Sequence, residues 1–330
     1  MMGAQCYGEC RGNVSFLLTD SRSLCFPEET LFFALRSARN DGQHYIAELY
    51  QRGVRRFVVA EVPDRWQANY ADATFLVVGD TLAALQQLAA RHRQRFTIPV
   101  VGITGSNGKT MVKEWLYQIM SPDVCVTRSP RSYNSQIGVP LSVWLLNEHT
   151  QLGIFEAGIS QPGEMRALRG IIQPTIAVLT NLGAAHQENF ESMQAKCKEK
   201  IQLFHDAQTV VYDADDSVIA AEVEASGYPG ERLCWSLTDA HAPMYISRID
   251  KGDAHTLVTY SYQGGAEQHY QLPFIDDASI SNSIVCATVA LHLGVSADAL
   301  AQRMQQLEPI AMRLEVKEGQ HGCTLINDSY

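Results

Sequence analysis

The sequence predicts an α/β protein in which a small N-terminal α/β domain precedes a larger central domain built on a mostly parallel sheet. The chain has 330 residues, which is too long for one ordinary hydrophobic core. Short apolar strand segments alternate with helical segments along most of it, a pattern typical of a parallel sheet covered by helices on both faces. A glycine-bearing turn at 105–110 joins one of these strands to a helix.

The composition excludes several classes of protein. Hydrophobic residues make up 46% and charged residues 19% of the chain, which fits a globular protein and not a disordered one. The formal net charge of −10 argues against a partner made of nucleic acid, because duplex binders usually carry a basic face. We find no apolar run of membrane-spanning length and no secretory signal. The scattered cysteines are interpreted as reduced thiols, and the expected location is cytoplasmic.

Residues 1–97 are predicted to form the small N-terminal domain. Its strand candidates are the apolar segments Leu31–Leu35, Phe57–Ala60 and Phe75–Val78. Asp80 is a suitable N-cap for the helix that follows, in which apolar residues recur at helical spacing: Leu82, Leu85, Leu88 and Ala89. The stretch 91–99 is interpreted as the linker that leaves this domain.

Residues 98–312 are predicted to form the central domain. Its strand candidates are Val100–Thr104, Gly153–Glu156 and Ile176–Thr180. Residues 243–274 alternate differently and predict an antiparallel patch, followed by a helix over about 279–293 that Gly294 ends. Residues 313–330 are interpreted as the start of a further domain, with a strand beginning near Cys323. We therefore expect the chain to be the front part of a longer protein.

The turn at 105–110 has the residues of a short phosphate-binding loop: Gly105, Ser106, Asn107, Gly108, Lys109 and Thr110. Glycines let backbone N–H groups converge on an anion, and the N-terminus of the following helix favours negative charge. Lys109 would neutralise the β- and γ-phosphates of ATP, and the Thr110 hydroxyl would bind Mg²⁺. The longer Walker pattern has a glycine where Ile103 stands, so an ordinary tight turn is the alternative interpretation.

Two further side chains follow predicted strands at the same edge of the sheet. Glu156 ends one strand and His186 comes shortly after another, where ligands bind in open α/β sheets. A carboxylate and an imidazole there could hold a second Mg²⁺. On the helix that follows, Lys200 falls within an apolar stripe, whereas Lys196 and Lys198 are expected to be solvated. A buried lysine loses hydration, so we expect a lowered pKa and a reactive amine for Lys200.

These residues together resemble the Mur ligase family of peptidoglycan synthesis. Thr104–Thr110 matches the family loop, with Met111 in place of its last Thr. The motifs Glu-x-Gly-x-x-x-x-Gly-Glu and Thr-Asn-x-Gly-x-x-His occur at 156–164 and 180–186. Fourteen residues after His186 stands Lys200, where family members carry a carbamylated lysine. The resemblance implies a catalytic and metal-binding set made of Lys109, Thr110, Glu156, His186 and carbamylated Lys200.

Other matches span most of the chain. Asp20-Ser21-Arg22 and the later segment 39–42, with Asp41, resemble the family's uridine-diphosphate-binding portion, although Gln43 replaces its usual His. Asn134 matches the muramoyl-substrate loop, in which Ser135 stands for a second Asn. Asn282 matches the second asparagine of the adenine-binding motif, whose first pair is Ala278-Ser279 here. Arg313 and Asp328-Ser329-Tyr330 match the start of the family's third, Rossmann-like domain, which would be truncated.

The resemblance is to the MurF-type branch, and it implies an ATP- and Mg²⁺-dependent ligase that adds D-Ala-D-Ala to UDP-MurNAc-tripeptide through an acyl phosphate. In some bacteria a MurF-like part is fused in front of an alanine racemase, so an alanine racemase domain could follow in the full-length protein. Without a complete third domain, the 330-residue chain is expected to ligate poorly by itself.

Four alternatives stay open from the sequence. A MurE-type ligase and a folylpolyglutamate-type ligase would share the loop and the metal-binding residues. A non-catalytic nucleotide-sugar-binding module attached to a racemase would keep the substrate-binding residues but would catalyse no reaction. A simple P-loop NTPase switch would hydrolyse ATP with no acceptor.

Overall fold

The computed structural model describes residues 3–9, 12–37, 40–185, 187–310, 315–318 and 324–327. The predicted site residues His186 and Arg313 lie outside the described residues, as do Arg39 and the segment 328–330. Their roles stay predictions.

The N-terminal part contains a five-stranded sheet with the order β1-β5-β4-β3-β2, in which β1 alone runs antiparallel to its neighbour. The three predicted strands occur, and each begins one residue earlier than predicted; the first ends two residues early and the other two end one residue early. Aromatic side chains fill the core, where the rings of Phe57 and Phe75 stack with centroids 5.3 Å apart. The strands are Gln5–Tyr7, Phe16–Leu18, Thr30–Phe33, Arg56–Val59 and Thr74–Val77, and helices α1 to α3 are Ile46–Gln51, Trp66–Asn69 and Thr81–Arg93.

Helix α3 begins where it was predicted to begin but ends later than predicted. The Asp80 carboxylate accepts from Leu82 N and Ala83 N at 2.8 and 3.0 Å, which confirms the predicted N-cap. The helix continues to Arg93, so the first three residues of the predicted linker are helical. The reason is tertiary, because Arg93 is buried and donates to the carbonyls of Ile172 and Gln173 at 2.9 and 3.0 Å.

The central part is a six-stranded sheet with the order β11-β10-β9-β6-β8-β7, and every described pair of neighbours in it is parallel. This confirms the predicted parallel sheet. Its strands β6 to β11 are Val100–Thr104, Val126–Arg128, Leu152–Glu156, Ile176–Leu179, Thr209–Val211 and Glu231–Arg232. The helices α4 to α8 are Lys109–Met120, Gly138–Val143, Glu164–Ile172, Met193–Ile201 and Ser217–Ala225.

Both faces of this sheet are buried. On one face α4 packs with residues of a later four-stranded sheet and its helix, and on the other lie residues of α5 to α8. Strands β12 to β15 of the four-stranded sheet are Trp235–Ser236, Met244–Lys251, Thr256–Tyr262 and Gln268–Leu272. Pairing of β13, β14 and β15 is antiparallel, as predicted, while β12 joins β13 in parallel.

The last described elements are two helices and a hairpin. Helix α9 spans Asp277–His292 and α10 spans Ala297–Met304. Gly294, with φ +93°, follows α9, which agrees with the predicted helix end. Strands β16 (Glu315–Glu318) and β17 (Thr324–Asn327) pair antiparallel, and β17 is the strand predicted near the end of the chain. Among the described helices, none is long and apolar enough to cross a membrane. The domain boundaries at 97 and 312 stay predictions.

This topology determines where the polar residues meet. Strand β6 lies between β9 and β8, and all three run in the same direction. Their carboxyl ends therefore bring the loop 105–110, Glu156 and the segment after Leu179 to one edge of the sheet.

Candidate active site

The loop between β6 and α4 needs glycine at two positions. Gly105 and Gly108 have φ values of +148° and +79°, in the region that favours glycine. A Cβ added to Gly105 would lie 1.9 Å from Thr180 Oγ1, and one on Gly108 would lie 2.3 Å from Asn282 Oδ1. The loop is thus closely packed on both sides, and its N–H groups stand at the N-terminus of α4, as an ATP phosphate site requires.

The segment after β9 holds this loop in place. Asn107 N donates to Asn181 Oδ1 at 2.9 Å, and Gly183 N donates to Ser106 Oγ at 2.9 Å. Thr180 Oγ1 donates to Asn107 O at 2.5 Å. The side chain of Ser106 and the backbone of Asn107 therefore tie the loop to the segment after β9.

Glu156 is fully buried at the end of β8, beside the loop. Its Oε2 accepts from Thr110 Oγ1 at 3.1 Å and from Asn134 Nδ2 at 3.4 Å. Mg²⁺ prefers oxygen ligands and usually takes one or two carboxylates together with phosphate and water oxygens. The Thr110 hydroxyl and the Glu156 carboxylate fit that donor set. Within the described ranges no group of three or more His, Cys, Asp or Glu side chains could hold a metal by itself.

Lys113 is a residue of this site that the sequence analysis missed. Its side chain is fully buried, and Nζ lies 3.0 Å from Glu156 Oε1. The available signal was its place three residues after Thr110, on a helix whose neighbouring residues Val112, Trp115 and Leu116 are apolar and buried.

Lys200 lies on the buried face of α7, as predicted, with 3% of its surface exposed. Its Nζ donates to Gly105 O at 3.0 Å. Burial, followed by the positive charges of Lys109 and Lys196, lowers the pKa of Lys200 to about 7. A large fraction of this amine is therefore unprotonated near neutral pH.

The prediction that Lys196 is solvated was wrong. Lys196 has 1% of its surface exposed, and its Nζ donates to Gly183 O at 2.6 Å and to Ala185 O. Helical periodicity puts Lys196 outside the apolar stripe of α7, but the segment after β9 covers this part of the helix. Lys198 does point to solvent, with its side chain 65% exposed.

A cavity of about 680 Å³ brings many of the predicted residues together. Those that line it are Gly105, Ser106, Asn107, Lys109, Asn134, Ser135 and Lys200. A second cavity, of about 920 Å³, lies between the N-terminal sheet and helices α3 and α5. Ser132 and Ser135 line both cavities, so the segment 132–135 stands between them.

Asn282 is buried beside the loop, and its Nδ2 lies 3.2 Å from Met111 Sδ.

The predicted N-terminal substrate residues lie elsewhere. Ser21 is buried, and the exposed Arg22 pairs with Asp20 at 2.6 Å. Asp41 accepts from Gln43 N and pairs with Arg36, both at 2.9 Å. Of these residues only Asp20 lines the larger cavity, and Ser21, Arg22 and Asp41 line neither of the two. Their role in substrate binding stays a prediction.

A parallel sheet with a glycine loop, its lysine and threonine, and a buried carboxylate at one edge is typical of proteins that bind nucleotide phosphates. Residues 103–290, more than half of the chain, match the Mur ligase middle domain. The chain belongs to the Mur ligase family.

Relatives and solved structures agree with this assignment. The chain is 26% identical over 315 residues to the UDP-N-acetylmuramoyl-tripeptide–D-alanyl-D-alanine ligase of Bacillus subtilis (strain 168), covering 94% of this chain and 66% of that protein. It is 31% identical over 299 residues to the ligase of that name from Treponema pallidum (strain Nichols), covering 88% and 62%. A crystal structure of MurF from Acinetobacter baumannii superposes with a TM-score of 0.84 at 25% identity, covering 95% and 67%. The chain thus spans less than two thirds of the length of these two ligases.

Proposed function

We propose that the protein is an ATP-dependent amide ligase that adds D-Ala-D-Ala to UDP-MurNAc-tripeptide. The observation that carries the proposal is the cavity of about 680 Å³, in which the phosphate loop, Lys200 and the loop residues Asn134 and Ser135 face one another. The groups predicted to bind the ATP phosphates and those predicted to bind the muramoyl substrate therefore line the same cavity. The names of the relatives support the choice of substrates.

The reaction would proceed in two steps. The terminal carboxylate of UDP-MurNAc-tripeptide attacks the γ-phosphorus of ATP, and the bond from this phosphorus to the β-phosphate oxygen breaks. The products are an acyl phosphate and ADP. The amine of D-Ala-D-Ala then attacks the acyl carbon, phosphate leaves and the amine proton is released. No protein nucleophile is required, because positioning and charge stabilisation supply most of the catalysis. Lys109 would stabilise the negative charge on the transferred phosphoryl group.

Thr110 and Glu156 would hold one Mg²⁺, and His186 with carbamylated Lys200 a second, to screen charge between the phosphate and the attacking carboxylate. The carbamate forms when the unprotonated Lys200 amine attacks CO₂ and a proton leaves to solvent. The pKa of about 7 supports this assignment, because burial keeps a large share of the amine unprotonated at neutral pH. We infer that the proposed reaction takes place in the cytoplasm, because its substrates are ATP and a UDP-linked precursor.

The test is ADP release by the protein at its natural full length, measured with ATP, Mg²⁺ and UDP-MurNAc-tripeptide, with and without D-Ala-D-Ala. We expect ADP release that depends on both UDP-MurNAc-tripeptide and D-Ala-D-Ala, with Lys109→Met as the inactive control. Consumption of a diamino acid or of glutamate with folate in place of D-Ala-D-Ala would favour the MurE-type or folylpolyglutamate-type alternative. ATP hydrolysis without any acceptor would indicate an NTPase switch, and binding without turnover a nucleotide-sugar-binding module. The fused alanine racemase stays a prediction, which racemisation of alanine by that protein would test.

A further inference from the structure

Lys113 is bound by oxygen atoms from three separate parts of the fold. Besides Glu156 Oε1, its Nζ lies 3.0 Å from Glu114 Oε1, and it donates to the backbone carbonyls of Ser129, at 2.8 Å, and Arg131. Of the three N–H donors of the ammonium, two are used by the carbonyls, and the two carboxylates lie at ion-pair distance. A completely buried lysine is rare unless it is paired in this way.

The two carbonyls belong to the segment that leads into the predicted muramoyl-substrate loop. Arg131 has φ +47°, an uncommon conformation for a residue with a Cβ, and its carbonyl is one that Lys113 binds. The next residue, Ser132, places its Oγ 3.2 Å from Thr110 Oγ1. Asn134 then reaches Glu156 Oε2 at 3.4 Å. The same segment therefore contacts both side chains that fit Mg²⁺.

Lys113 also forms an ion pair with the Glu156 carboxylate. Its Nζ lies 3.0 Å from Oε1, which accepts no hydrogen bond from the described part of the chain, while Oε2 accepts from Thr110 and Asn134. A buried carboxylate without a counter-charge is strongly destabilised, and removing one partner of such a pair leaves the other charge uncompensated. Lys113 therefore supplies the counter-charge of Glu156, and it shares the positioning of this carboxylate with Thr110 and Asn134.

We propose that Lys113 is a positioning residue that holds Glu156 and the segment 129–135 in one arrangement, so that the metal-binding carboxylate and the substrate loop are ordered together. This inference rests on the proposed function, in which Glu156 binds Mg²⁺ and Asn134 contacts UDP-MurNAc-tripeptide. The contact thereby links the nucleotide side of the cavity to the acceptor side.

The experiment compares Lys113→Met with Lys198→Met, a lysine of α7 whose side chain is largely exposed. Binding of Mn²⁺, as a spectroscopic probe for Mg²⁺, is measured by electron paramagnetic resonance on the full-length protein with ADP present. We expect Lys113→Met to weaken Mn²⁺ binding about 10- to 100-fold, the usual effect of removing a partner that orients a metal ligand. Affinity for ADP without metal should change less than about threefold, since ADP is held by loop N–H groups and Lys109. Lys198→Met should leave both values unchanged.

A second pair of variants keeps the inference testable if Lys113→Met does not fold. Lys113→Met/Glu156→Gln removes both charges, so no uncompensated buried charge remains and the fold should be recovered. If Lys113 acts through Glu156, the double variant binds Mn²⁺ no more weakly than Glu156→Gln alone. A further loss in the double variant, or a lowered melting temperature with unchanged Mn²⁺ affinity in Lys113→Met, would overturn the inference.

Steady-state kinetics test the link to the substrate loop. Lys113→Met should raise KM for UDP-MurNAc-tripeptide and the Mg²⁺ concentration at half-maximal rate, while KM for ATP at saturating Mg²⁺ changes least. An equal rise in all three constants would indicate a general structural role and contradict the proposal. Absence of D-Ala-D-Ala-dependent turnover in the wild type would overturn the proposed function alone, because the Mn²⁺ measurement uses no acceptor.

Discussion

Lys109 and Lys200 donate hydrogen bonds to the same backbone oxygen, Gly105 O, at 2.8 and 3.0 Å. One amine comes from the helix that begins at the phosphate loop and the other from α7, so two cationic groups converge on one point beside the cavity. Their mutual repulsion adds to burial in lowering the pKa of Lys200. The γ-phosphate of ATP, placed between them, would relieve that repulsion. Carbamylation of Lys200 would remove it, because the ammonium is replaced by a negatively charged group.

Replacing Lys200 by alanine should abolish formation of the acyl phosphate. The carbamate and the metal position that depends on it would be lost, and the removal of one charge-stabilising group at a reacting phosphoryl lowers kcat by about 100-fold or more. The measurement is trapping of the acyl phosphate with hydroxylamine, with Lys198→Ala on the same helix as the control. Unchanged turnover in Lys200→Ala would rule out the carbamate assignment.

The lowered pKa of Lys200 should make stability depend on pH. Its pKa is about 7 in the folded protein and about 10.4 in an unfolded chain. Between these values the unfolded chain binds more protons, so this residue's contribution to the free energy of unfolding rises with pH from about 7 upward. Below pH 7 the lysine is charged in both states, and the penalty of burying the charge is fully present.

Chemical denaturation at about pH 6.5, 8 and 9.5 measures this dependence. In Lys200→Met the rise with pH should be smaller than in the wild type, whereas Lys198→Met should keep the wild-type slope. Equal slopes in the wild type and Lys200→Met would mean that Lys200 is not buried as a neutral amine.

Replacing Lys196 by methionine should loosen the segment after β9. Its ammonium binds the carbonyls of Gly183 and Ala185, and hydrogen bonds of charged groups contribute about 1.5–3 kcal/mol each. Amide hydrogen exchange around Gly183 should accelerate by about tenfold or more, the equivalent of roughly 1.4 kcal/mol. Mass spectrometry of the peptide covering 181–185 would detect it. Wild-type protection in Lys196→Met would show that the bonds to Ser106 hold this segment alone.

Replacing Gly105 by alanine should disrupt the phosphate loop. The residue has φ +148°, and its new Cβ would lie 1.9 Å from Thr180 Oγ1, so the strand end must shift. We expect affinity for a fluorescent ADP analogue to fall by more than about tenfold, since the N–H groups of the loop would no longer converge. Retained affinity in a folded Gly105→Ala protein would contradict the role of this loop.

Replacing Gly170 by alanine should have the opposite effect on stability. This residue lies inside α6 with an ordinary φ, is exposed, and has nothing within 4 Å of an added Cβ. Glycine in a helix interior is destabilising by roughly 0.5–1 kcal/mol relative to alanine, so Gly170→Ala should raise the free energy of unfolding by about that amount. Denaturant titration measures it, and the variant also serves as the glycine control for Gly105→Ala. A lower stability would mean that this turn of α6 is not a regular helix.

Several elements of the fold follow from local sequence. The strand Val100–Thr104 and the presence of a helix after the loop were predicted correctly, because a run of apolar residues, two glycines and a lysine act within about ten residues of chain. The helix begins at Lys109, inside the segment 105–110 that was predicted as a turn. The cap at Asp80 is equally local. The three predicted strands of the N-terminal sheet begin and end one or two residues before their predicted bounds, since strand ends depend on pairing with neighbours that are distant in the sequence. Helix α3 runs past its predicted end because Arg93 finds carbonyl partners about eighty residues away.

The candidate site divides in the same way. The sequence alone determined the phosphate loop, the position of Glu156 at a strand end and the burial of Lys200, because each depends on a pattern within one element. Tertiary structure decided that Lys196 is buried and that Lys113 pairs with Glu156. Both lysines depend on segments that fold over them from elsewhere in the chain: 183–185 over Lys196 and 129–131 over Lys113. A charge on a helix face shows its partner only when the covering loop is known, and helical periodicity carries no information about that loop.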